Sequence, residues 1–454
     1  MSTPENQENK SITKNNILWN EYLKALNHEV VPALGCTEPI SLALASAVAA
    51  KYLFGHGTSV HEKFSKISKI EGFVSPNLMK NGMGVSVPGT GMVGLPIAAA
   101  VGALGGNPDG NLEVLKGLTN DVVELAKKML DKDKVSVVIE PSTPILYSKS
   151  RISTETETVS VTISDGHTHI VNIEKNGETI FEAVNDITLK KGSNYDLSQA
   201  SVLSIVEFAE HIPLSQIAFI LQAQELNDAL SKEGLAKEYG LHIGRTLQGH
   251  IKNGLLSDDL QNQIVIRSTA ASDARMGGAV LPAMSNSGSG NQGISATLPV
   301  VVVADYLQVD NEKRARALII SHLIAIYIHS KLPKLSALCA VSTAAMGAGA
   351  GMAWLLAENK YAAIDRTLSS MVGDIAGIIC DGAANSCAMK VSTSATSALK
   401  SVLMALNDTG VTANEGIVSH NADKSIDNLC QLAQGSMLQT DVQIIEIMVN
   451  KDSC

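Results

Sequence analysis

The sequence predicts an α+β fold that is mostly helical, with a helical core that carries the functional site and a smaller α+β unit with an antiparallel sheet. Apolar residues recur at helical spacing through most of 196–260 and 312–406. From residue 134 to residue 177, short stretches instead alternate in polarity. Hairpin signals at Asp165-Gly166 and Asn176-Gly177 punctuate them, which indicates a meander of antiparallel strands.

The individual elements follow from local patterns. Residues 17–30 have the apolar spacing of a helix, and Thr37 can cap a second helix that runs to about Phe54. The other expected helices are 96–104, 112–130, 201–211, 214–230 and 388–406, and the expected strands are 59–75, 134–139, 156–163, 168–174 and 441–448. Breaks in the last helical region are expected at Pro333, at Gly347–Gly351 and between Cys380 and Cys387.

These elements divide the chain into five expected parts. They are a disordered N-terminal tail (1–16), N-terminal helices that join the core (17–58), an α+β unit with a Gly-rich loop (59–190), a helical site-bearing domain (191–449) and a C-terminal tail (450–454). The first sixteen residues are polar, which favours a frayed terminus.

Composition limits the class of function. The chain has 454 residues, 45% of them hydrophobic but only 4% aromatic, so its core must be aliphatic and rich in small residues. A net charge of −10 argues against nucleic acid or an anionic membrane as a main partner. Six cysteines are too few for a disulfide scaffold, and no signal peptide opens the sequence, so we expect a cytoplasmic protein.

Three cysteines lie in segments of small residues where the chain is expected to break. Cys380 and Cys387 flank Asp381-Gly382, and Cys339 lies 41 residues upstream of Cys380. Thiols in such surroundings could converge on an iron–sulfur cluster, and three ligands would leave one iron free for a substrate. The spacing matches no common ferredoxin or zinc-ribbon pattern, so buried inert thiols remain an alternative.

A fourth cysteine, Cys36, immediately precedes the expected helix that begins near Thr37. A helix N-terminus favours the thiolate over the thiol, so this position predicts a reactive cysteine with a lowered pKa. A turn residue packed under Pro39 is the alternative.

Two glycine-rich segments are candidate binding loops. The run between Ser75 and Gly106 matches neither a dinucleotide fingerprint nor a phosphate loop, and it suits a small carboxylate better than a nucleotide. The second loop, at 284–293, presents short polar side chains that suit the carboxylate and ammonium of one small substrate. His167 and His169 are expected on one face of a strand, as a solvated pair rather than a metal site.

Four motifs together resemble one family. GCTEP at 35–39, KNGMGVSVPGTG at 80–91, SNSGSGNQG at 285–293 and CDGAANSCAMK at 380–390 are similar to segments of the iron–sulfur L-cysteine desulfidases. These enzymes are distant relatives of the alpha domain of iron–sulfur L-serine dehydratases. The resemblance covers nearly the whole chain, from about residue 17 to about residue 449.

The resemblance implies a [4Fe–4S] cluster with one open iron and β-elimination of L-cysteine to pyruvate, ammonia and hydrogen sulfide. It assigns the cluster to Cys339, Cys380 and Cys387, and the base to Cys36. The substrate-binding residues that it implies are Lys80, Asn81, Thr90, Ser285, Asn286, Ser287, Gly288, Ser289 and Asn291. A homodimer is possible, and neither nucleic acid nor a membrane is expected as a partner.

Several alternatives remain open at the level of sequence. Cys36 could replace Cys387 as the third ligand, which would require another base, and Cys454 could bind the open iron as an autoinhibitory tail. The chain could also be an L-serine dehydratase of the same fold, a cluster-free protein that binds a small amino acid, or a zinc hydrolase. The zinc alternative is weakened because sulfur-rich zinc sites are usually structural.

Overall fold

The computed structural model describes residues 4–183 and 195–450, with side chains described from Ile17 onward. The N-terminal part contains a mixed sheet and the helices that pack on it. Its elements are α1 (Pro4–Glu29), β1 (Pro32–Ala33), α2 (Thr37–Phe54), α3 (Val60–Lys66), β2 (Lys69–Val74), α4 (Pro76–Gly82), β3 (Ser86–Val87), β4 (Met92–Val93), α5 (Leu95–Gly105), α6 (Asn120–Asp131), β5 (Val135–Ile139), β6 (Tyr147–Ser153), β7 (Thr158–Ser164), β8 (Ile170–Lys175) and β9 (Glu178–Glu182).

The C-terminal part is almost entirely helical. Its elements are α7 (Val202–His211), α8 (Leu214–Ile217), α9 (Leu221–Ala236), α10 (Ile243–Lys252), α11 (Leu260–Met276), β10 (Ala283–Met284), α12 (Gly290–Tyr306), α13 (Asn311–His329), α14 (Ala340–Leu356), α15 (Lys360–Ile375), α16 (Cys387–Leu406), α17 (Ala422–Gln434) and α18 (Met437–Asn450). The predicted α+β, mostly helical class is therefore confirmed.

The six-stranded sheet has the order β5-β2-β6-β7-β8-β9. Strands β2, β6, β7, β8 and β9 pair antiparallel with their neighbours, as the hairpin signals predict, whereas β5 joins the edge parallel to β2. Helices α2 and α5 cover one face, and their apolar side chains share a core with Ile152, Val159 and Val161 of the sheet. On the same face Ser41 and Ser46 of α2 bond the hydroxyls of Ser148 and Ser150.

The largest core lies among α12–α17, with α1 and α7 packed against it. Helix α14 runs unbroken through the glycines where a break was predicted, so that expectation is wrong. A Cβ at Gly347 would lie 2.2 Å from the Ser321 carbonyl oxygen, and one at Gly351 would lie 2.8 Å from that of Ala317. The glycines therefore permit close contact between α14 and α13 rather than ending the helix.

A short antiparallel ladder joins the segment before α2 to the segment before α12. Strand β1 pairs with β10 through Pro32 with Met284 and Ala33 with Ala283. Ser285 extends this contact, because its backbone N–H donates to the Val31 carbonyl oxygen at 2.9 Å and its hydroxyl donates to the same atom at 2.6 Å. The segment that leads into α2 is thus held beside the turn that follows β10.

Several element predictions differ from the structure. The strand expected at 441–448 is helical in α18, and 59–75 is divided between α3 and β2. In both stretches polar residues interrupt the alternation, and helical spacing fits them as well. The first helix begins at Pro4, inside the predicted disordered tail; no proline or glycine lies between Glu5 and Glu29. The tail after residue 450, including Cys454, lies outside the described residues.

In the described part of the chain, no single helix is long and apolar enough to cross a membrane. Helix α7 and the segment 214–236 reach that length and hydropathy only when taken together, across a bend of 118°.

Candidate functional site

One cavity brings together segments from both ends of the chain. Four cysteines line it, Cys36, Cys339, Cys380 and Cys387. Its polar wall includes Glu38, Asn81, Arg275, Ser289, Asn291 and Gln292. All four sequence motifs therefore contribute residues to this cavity, and the 80–91 motif does so through Asn81 alone.

The three predicted cluster cysteines lie on two loops that are bonded to each other. Cys339 is the N-cap of α14, and its backbone N–H donates to the Ile378 carbonyl oxygen at 2.9 Å. The N–H of Cys380 donates in turn to the Ala337 carbonyl oxygen at 2.7 Å. Cys387 opens α16, which follows the Asp381-Gly382 break. Backbone pairing therefore fixes Cys339 beside Cys380, although 41 residues separate them in the sequence.

Two of these cysteines, Cys339 and Cys387, have surroundings that disfavour the thiolate form. Burial, with the neighbouring thiols, raises the pKa of Cys339 to about 12. Burial also raises the pKa of Cys387. Among the described residues no group of three His, Cys, Asp or Glu side chains is arranged around a single metal ion. A [4Fe–4S] cluster has a different requirement, since each cysteine binds its own iron at a separate corner.

Cys36 lies where the sequence places it but not in the predicted protonation state. It is the N-cap of α2, and its Sγ donates a hydrogen bond to Glu38 Oε2 at 3.0 Å. Burial and the Glu38 carboxylate raise the pKa of Cys36 well above its usual value, although Arg275 acts in the opposite direction. The expected lowering by the helix dipole is therefore wrong, because desolvation and a like charge outweigh it.

Glu38 is a functional candidate that the sequence reasoning missed. Burial raises its pKa, but His167 and the hydrogen bonds from Cys36 and Asn81 outweigh burial, so the pKa lies below its ordinary value. The Asn81 amide donates to Glu38 Oε1 at 3.0 Å. Glu38 therefore presents a carboxylate whose two oxygens are both engaged by site residues.

His167 is half-buried and lies close enough to Glu38 to lower the pKa of that carboxyl group, so the predicted solvated pair with His169 is wrong. Strand β7 ends at Ser164 and β8 begins at Ile170, and a loop carries both histidines. His169 is exposed, whereas the ring of His167 lies 3.4 Å from the position that a Cβ on Gly288 would occupy. Its Nε2 has no hydrogen-bond partner among the described residues.

The 285–289 turn is held by side chains that point away from the cavity. The Asn286 amide donates to His322 Nδ1 at 3.1 Å, and His322 Nε2 lies 3.0 Å from the Thr297 hydroxyl. Because that hydroxyl already donates to the Gly293 carbonyl oxygen, it accepts from His322 Nε2. Burial lowers the pKa of His322 to about 3, so the ring is neutral, and it links Asn286 to Thr297 through its two nitrogens.

The predicted substrate-binding residues therefore separate into two groups. Asn81, Ser289 and Asn291 lie in the cavity wall, where substrate binding stays a prediction. The others are outside that wall, where the backbone or neighbouring side chains engage them: Lys80, Thr90, Ser285, Asn286, Ser287 and Gly288.

Lys80, which the resemblance implies as a substrate-binding residue, has a different role in the structure. Its side chain is fully buried, and its Nζ lies 2.5 Å from Asp441 Oδ1 and donates to the Cys380 carbonyl oxygen at 3.2 Å. Asn77 donates to the other oxygen of Asp441. Lys80 thus links α4, α18 and the Cys380 loop, a structural role that the motif alone could not reveal.

Two further polar residues of the wall are not among the substrate-binding residues that the resemblance implies, although Gln292 lies in the predicted 284–293 binding loop. Arg275 is 3% exposed and Gln292 is 4% exposed, and the Arg275 Nε and Gln292 Oε1 atoms have no hydrogen-bond partner among the described residues. Arg275 lies in the last turn of α11 and Gln292 lies in the first turn of α12. A charged residue within the small-residue segment TAASDARMGGA was the available sequence signal for Arg275.

Comparison with known proteins identifies relatives along the whole chain. The family model for the serine dehydratase alpha chain matches residues 109–446. The chain is 57% identical to UPF0597 protein YE0448 of Yersinia enterocolitica, over 98% of this chain and 100% of the relative. It is 58% identical to a UPF0597 protein of Actinobacillus pleuropneumoniae, over 94% and 96% of the two chains. It is 56% identical to UPF0597 protein YhaM of Shigella boydii, over 96% and 98%.

Proposed function

Because this chain belongs to the serine dehydratase alpha chain family, we propose that it is a [4Fe–4S]-dependent L-cysteine desulfidase. The reaction is β-elimination of L-cysteine, with water, to pyruvate, ammonia and hydrogen sulfide. The observation that carries the proposal is the meeting of Cys339, Cys380 and Cys387 at one cavity whose wall also presents polar side chains, including Glu38 and Asn81.

The side chains at this cavity fit a cluster with one open iron. Cys339, Cys380 and Cys387 would hold three irons, because soft thiolates are the ligands that iron–sulfur clusters take in proteins. Lys390 lies close enough to Cys339 and Cys387 to lower their pKa values, which favours the thiolates that ligation requires. When bound, the cluster supplies a Lewis acid that binds the substrate thiolate and improves it as a leaving group.

The protein's own groups serve the other half of the elimination, which is removal of the α-proton. Cys36 remains our candidate base; the thiol proton that it now donates to Glu38 Oε2 at 3.0 Å must leave before Cys36 can accept the α-proton. Asn81 holds the second Glu38 oxygen and fixes the orientation of the carboxylate. If Cys36 instead replaces Cys387 as the third ligand, Glu38 is left as the base at this wall.

The deciding experiment is anaerobic purification and cluster reconstitution, followed by measurement of sulfide and pyruvate release from L-cysteine and L-serine. The proposal expects iron-dependent absorption with sulfide and pyruvate in equal amounts from L-cysteine. A fully loaded cluster with no turnover of either amino acid would contradict an enzymatic role and leave cluster-dependent binding of a small amino acid.

An L-serine dehydratase is the second candidate, and the family match over residues 109–446 favours it. The leaving group would be hydroxide, which binds a harder metal better than the thiophilic iron of a cluster. An acid would also have to protonate it, whereas Glu38, the carboxyl group in this wall, has a lowered pKa. Pyruvate from L-serine without sulfide from L-cysteine would select this candidate.

A further inference from the structure

A lysine lies on the same face of α16 as one of the proposed cluster ligands. Cys387 opens this helix and Lys390 follows three residues later, a spacing that brings the two side chains onto one face. Helical side chains point back toward the N-terminus, so the Lys390 ammonium is directed to the turn that precedes α16. There it forms an ion pair with Asp381, the residue that follows Cys380.

The same turn of α16 packs against the third proposed ligand. Val391, the neighbour of Lys390, shares a small apolar cluster with Cys339, and Cys380 packs against that cluster. The Lys390 side chain is only 18% exposed, whereas that of Asp381 is 54% exposed. The ammonium is therefore largely withdrawn from solvent, beside the segments that carry all three thiols.

The charge of Lys390 reaches the proposed ligands. It acts to lower the pKa of Cys339 and that of Cys387, and on Cys387 its effect exceeds that of Arg275. Burial lowers the pKa of Lys390 itself, but the Asp381 carboxylate and the two thiols outweigh burial, so the pKa is raised. Lys390 is thus a fixed positive charge at neutral pH.

A cluster in this cavity would need such a charge beside it. Ligation turns buried thiols into thiolates, and a buried negative charge is costly unless a cation compensates it. The net charge around an iron–sulfur cluster is also one of the properties that set its reduction potential. A nearby cation favours the reduced form, which carries one more electron, and so raises the potential.

We propose that Lys390 compensates the charge of the cluster site, where it stabilises the ligand thiolates and raises the reduction potential of the cluster. The inference rests on the proposed function only in taking a [4Fe–4S] cluster as the occupant of the cavity, and it requires no turnover of any amino acid. Lys390 acts through the cluster rather than on the substrate. Asp381 orients the ammonium and offsets part of its effect.

The test compares two variants that break the same ion pair. The reduction potential of the reconstituted cluster is measured by redox titration under argon, followed by electron paramagnetic resonance. Lys390→Met removes the cation and should lower the potential. The expected shift is about tenfold in the equilibrium constant for one-electron reduction, or about 59 mV. Asp381→Asn removes the anion and should raise the potential, by less because that side chain is more exposed.

Two further variants control for the loss of a lysine. Lys390→Arg keeps the charge and should keep the potential close to that of the wild type. Lys400 is the matched control, because it also pairs with an aspartate, Asp374, and lies on the same helix. It is 54% exposed and ten residues farther along α16, about 15 Å away, so Lys400→Met should leave the potential unchanged.

The inference is overturned if Lys390→Met leaves the potential unchanged, or if Lys390→Arg lowers it as much as Lys390→Met does. It is also overturned if Lys390→Met and Asp381→Asn shift the potential in the same direction, as a pair that only holds the loop would. If Lys390→Met loads no cluster, Asp381→Asn still decides, because a potential that does not rise in that variant contradicts the inference.

Failure of the proposed function gives a different result. A wild type that takes up no cluster overturns both the proposed function and the role of Lys390. A loaded wild type that turns over no amino acid, but whose variants show the opposite shifts, rejects the lyase alone.

Discussion

Replacing Asp441 by alanine is expected to lower the free energy of unfolding by about 3–5 kcal/mol. The Lys80 side chain is 0% exposed and that of Asp441 is 10% exposed, and their charged atoms are 2.5 Å apart. Without the carboxylate, the Lys80 ammonium would stay buried with the Cys380 carbonyl oxygen as its recorded partner. Asn77 would lose its acceptor as well. The loss of stability therefore comes mainly from the buried Lys80 charge, which is left without a counter-ion.

The assay is urea unfolding followed by tryptophan fluorescence, with two further variants as references. Arg366→Ala breaks an exposed pair with Asp408, in which the side chains are 39% and 86% exposed, and should change stability by less than about 1 kcal/mol. The double variant Lys80→Met with Asp441→Leu removes both charges and should recover most of the loss. The reasoning is refuted if Asp441→Ala is no less stable than Arg366→Ala, or if the double variant is less stable than Asp441→Ala.

Three further predictions concern the site and its support. Cys387→Ser should lower the iron content measured after reconstitution. Cys430, whose thiol is buried in α17 away from the cavity, is the control, and Cys430→Ala should not lower the iron content. Equal iron content in the two variants would exclude Cys387 as a ligand. Gly290→Ala should lower the free energy of unfolding by about 1–3 kcal/mol, because its Cβ would lie 2.2 Å from the buried Arg275 Nε. Gly249→Ala, with no atom within 4 Å, should not lower it, and urea unfolding distinguishes the two variants. His322, with a pKa of about 3 in the folded protein against about 6.5 when unfolded, takes up its proton only on unfolding, so stability should fall as the pH drops below about 6.5. Between pH 7.5 and pH 5.5 this effect lowers the free energy of unfolding by about 1.4 kcal/mol. In urea unfolding at several pH values, His322→Gln should remove that part of the pH dependence. An unchanged pH dependence in this variant would contradict a neutral His322.

The site illustrates which contacts local sequence can predict. Cys36 and the three proposed ligand cysteines can be singled out from the sequence because each lies at a break beside small residues, and such breaks have local signals. The partner of Lys80 was not, because Asp441 is 361 residues away and nothing near Lys80 identifies it. The pKa of Cys36 depends likewise on burial and on Glu38, which a helix N-terminus alone does not determine.

The two histidines show a second limit of prediction from sequence, which is that the ends of strands cannot be located accurately. Alternation places His167 and His169 on one face only if the strand continues through them, but β7 ends at Ser164. The sheet order was only partly predictable for a similar reason. Hairpin signals report antiparallel neighbours in sequence, whereas β5 pairs parallel to β2, a contact that requires the helices between them.

The distance along the chain between site residues has a consequence for biosynthesis. Cys36 and Asn81 are translated early, whereas Cys380 and Cys387 follow some 300 residues later, and Lys80 bonds the Cys380 loop across that interval. The cavity can therefore be complete only after the segment from Cys380 to Cys387 has been synthesised. Under the proposed function, iron and sulfide would be delivered after that point, to a chain in which all three proposed ligand cysteines are present.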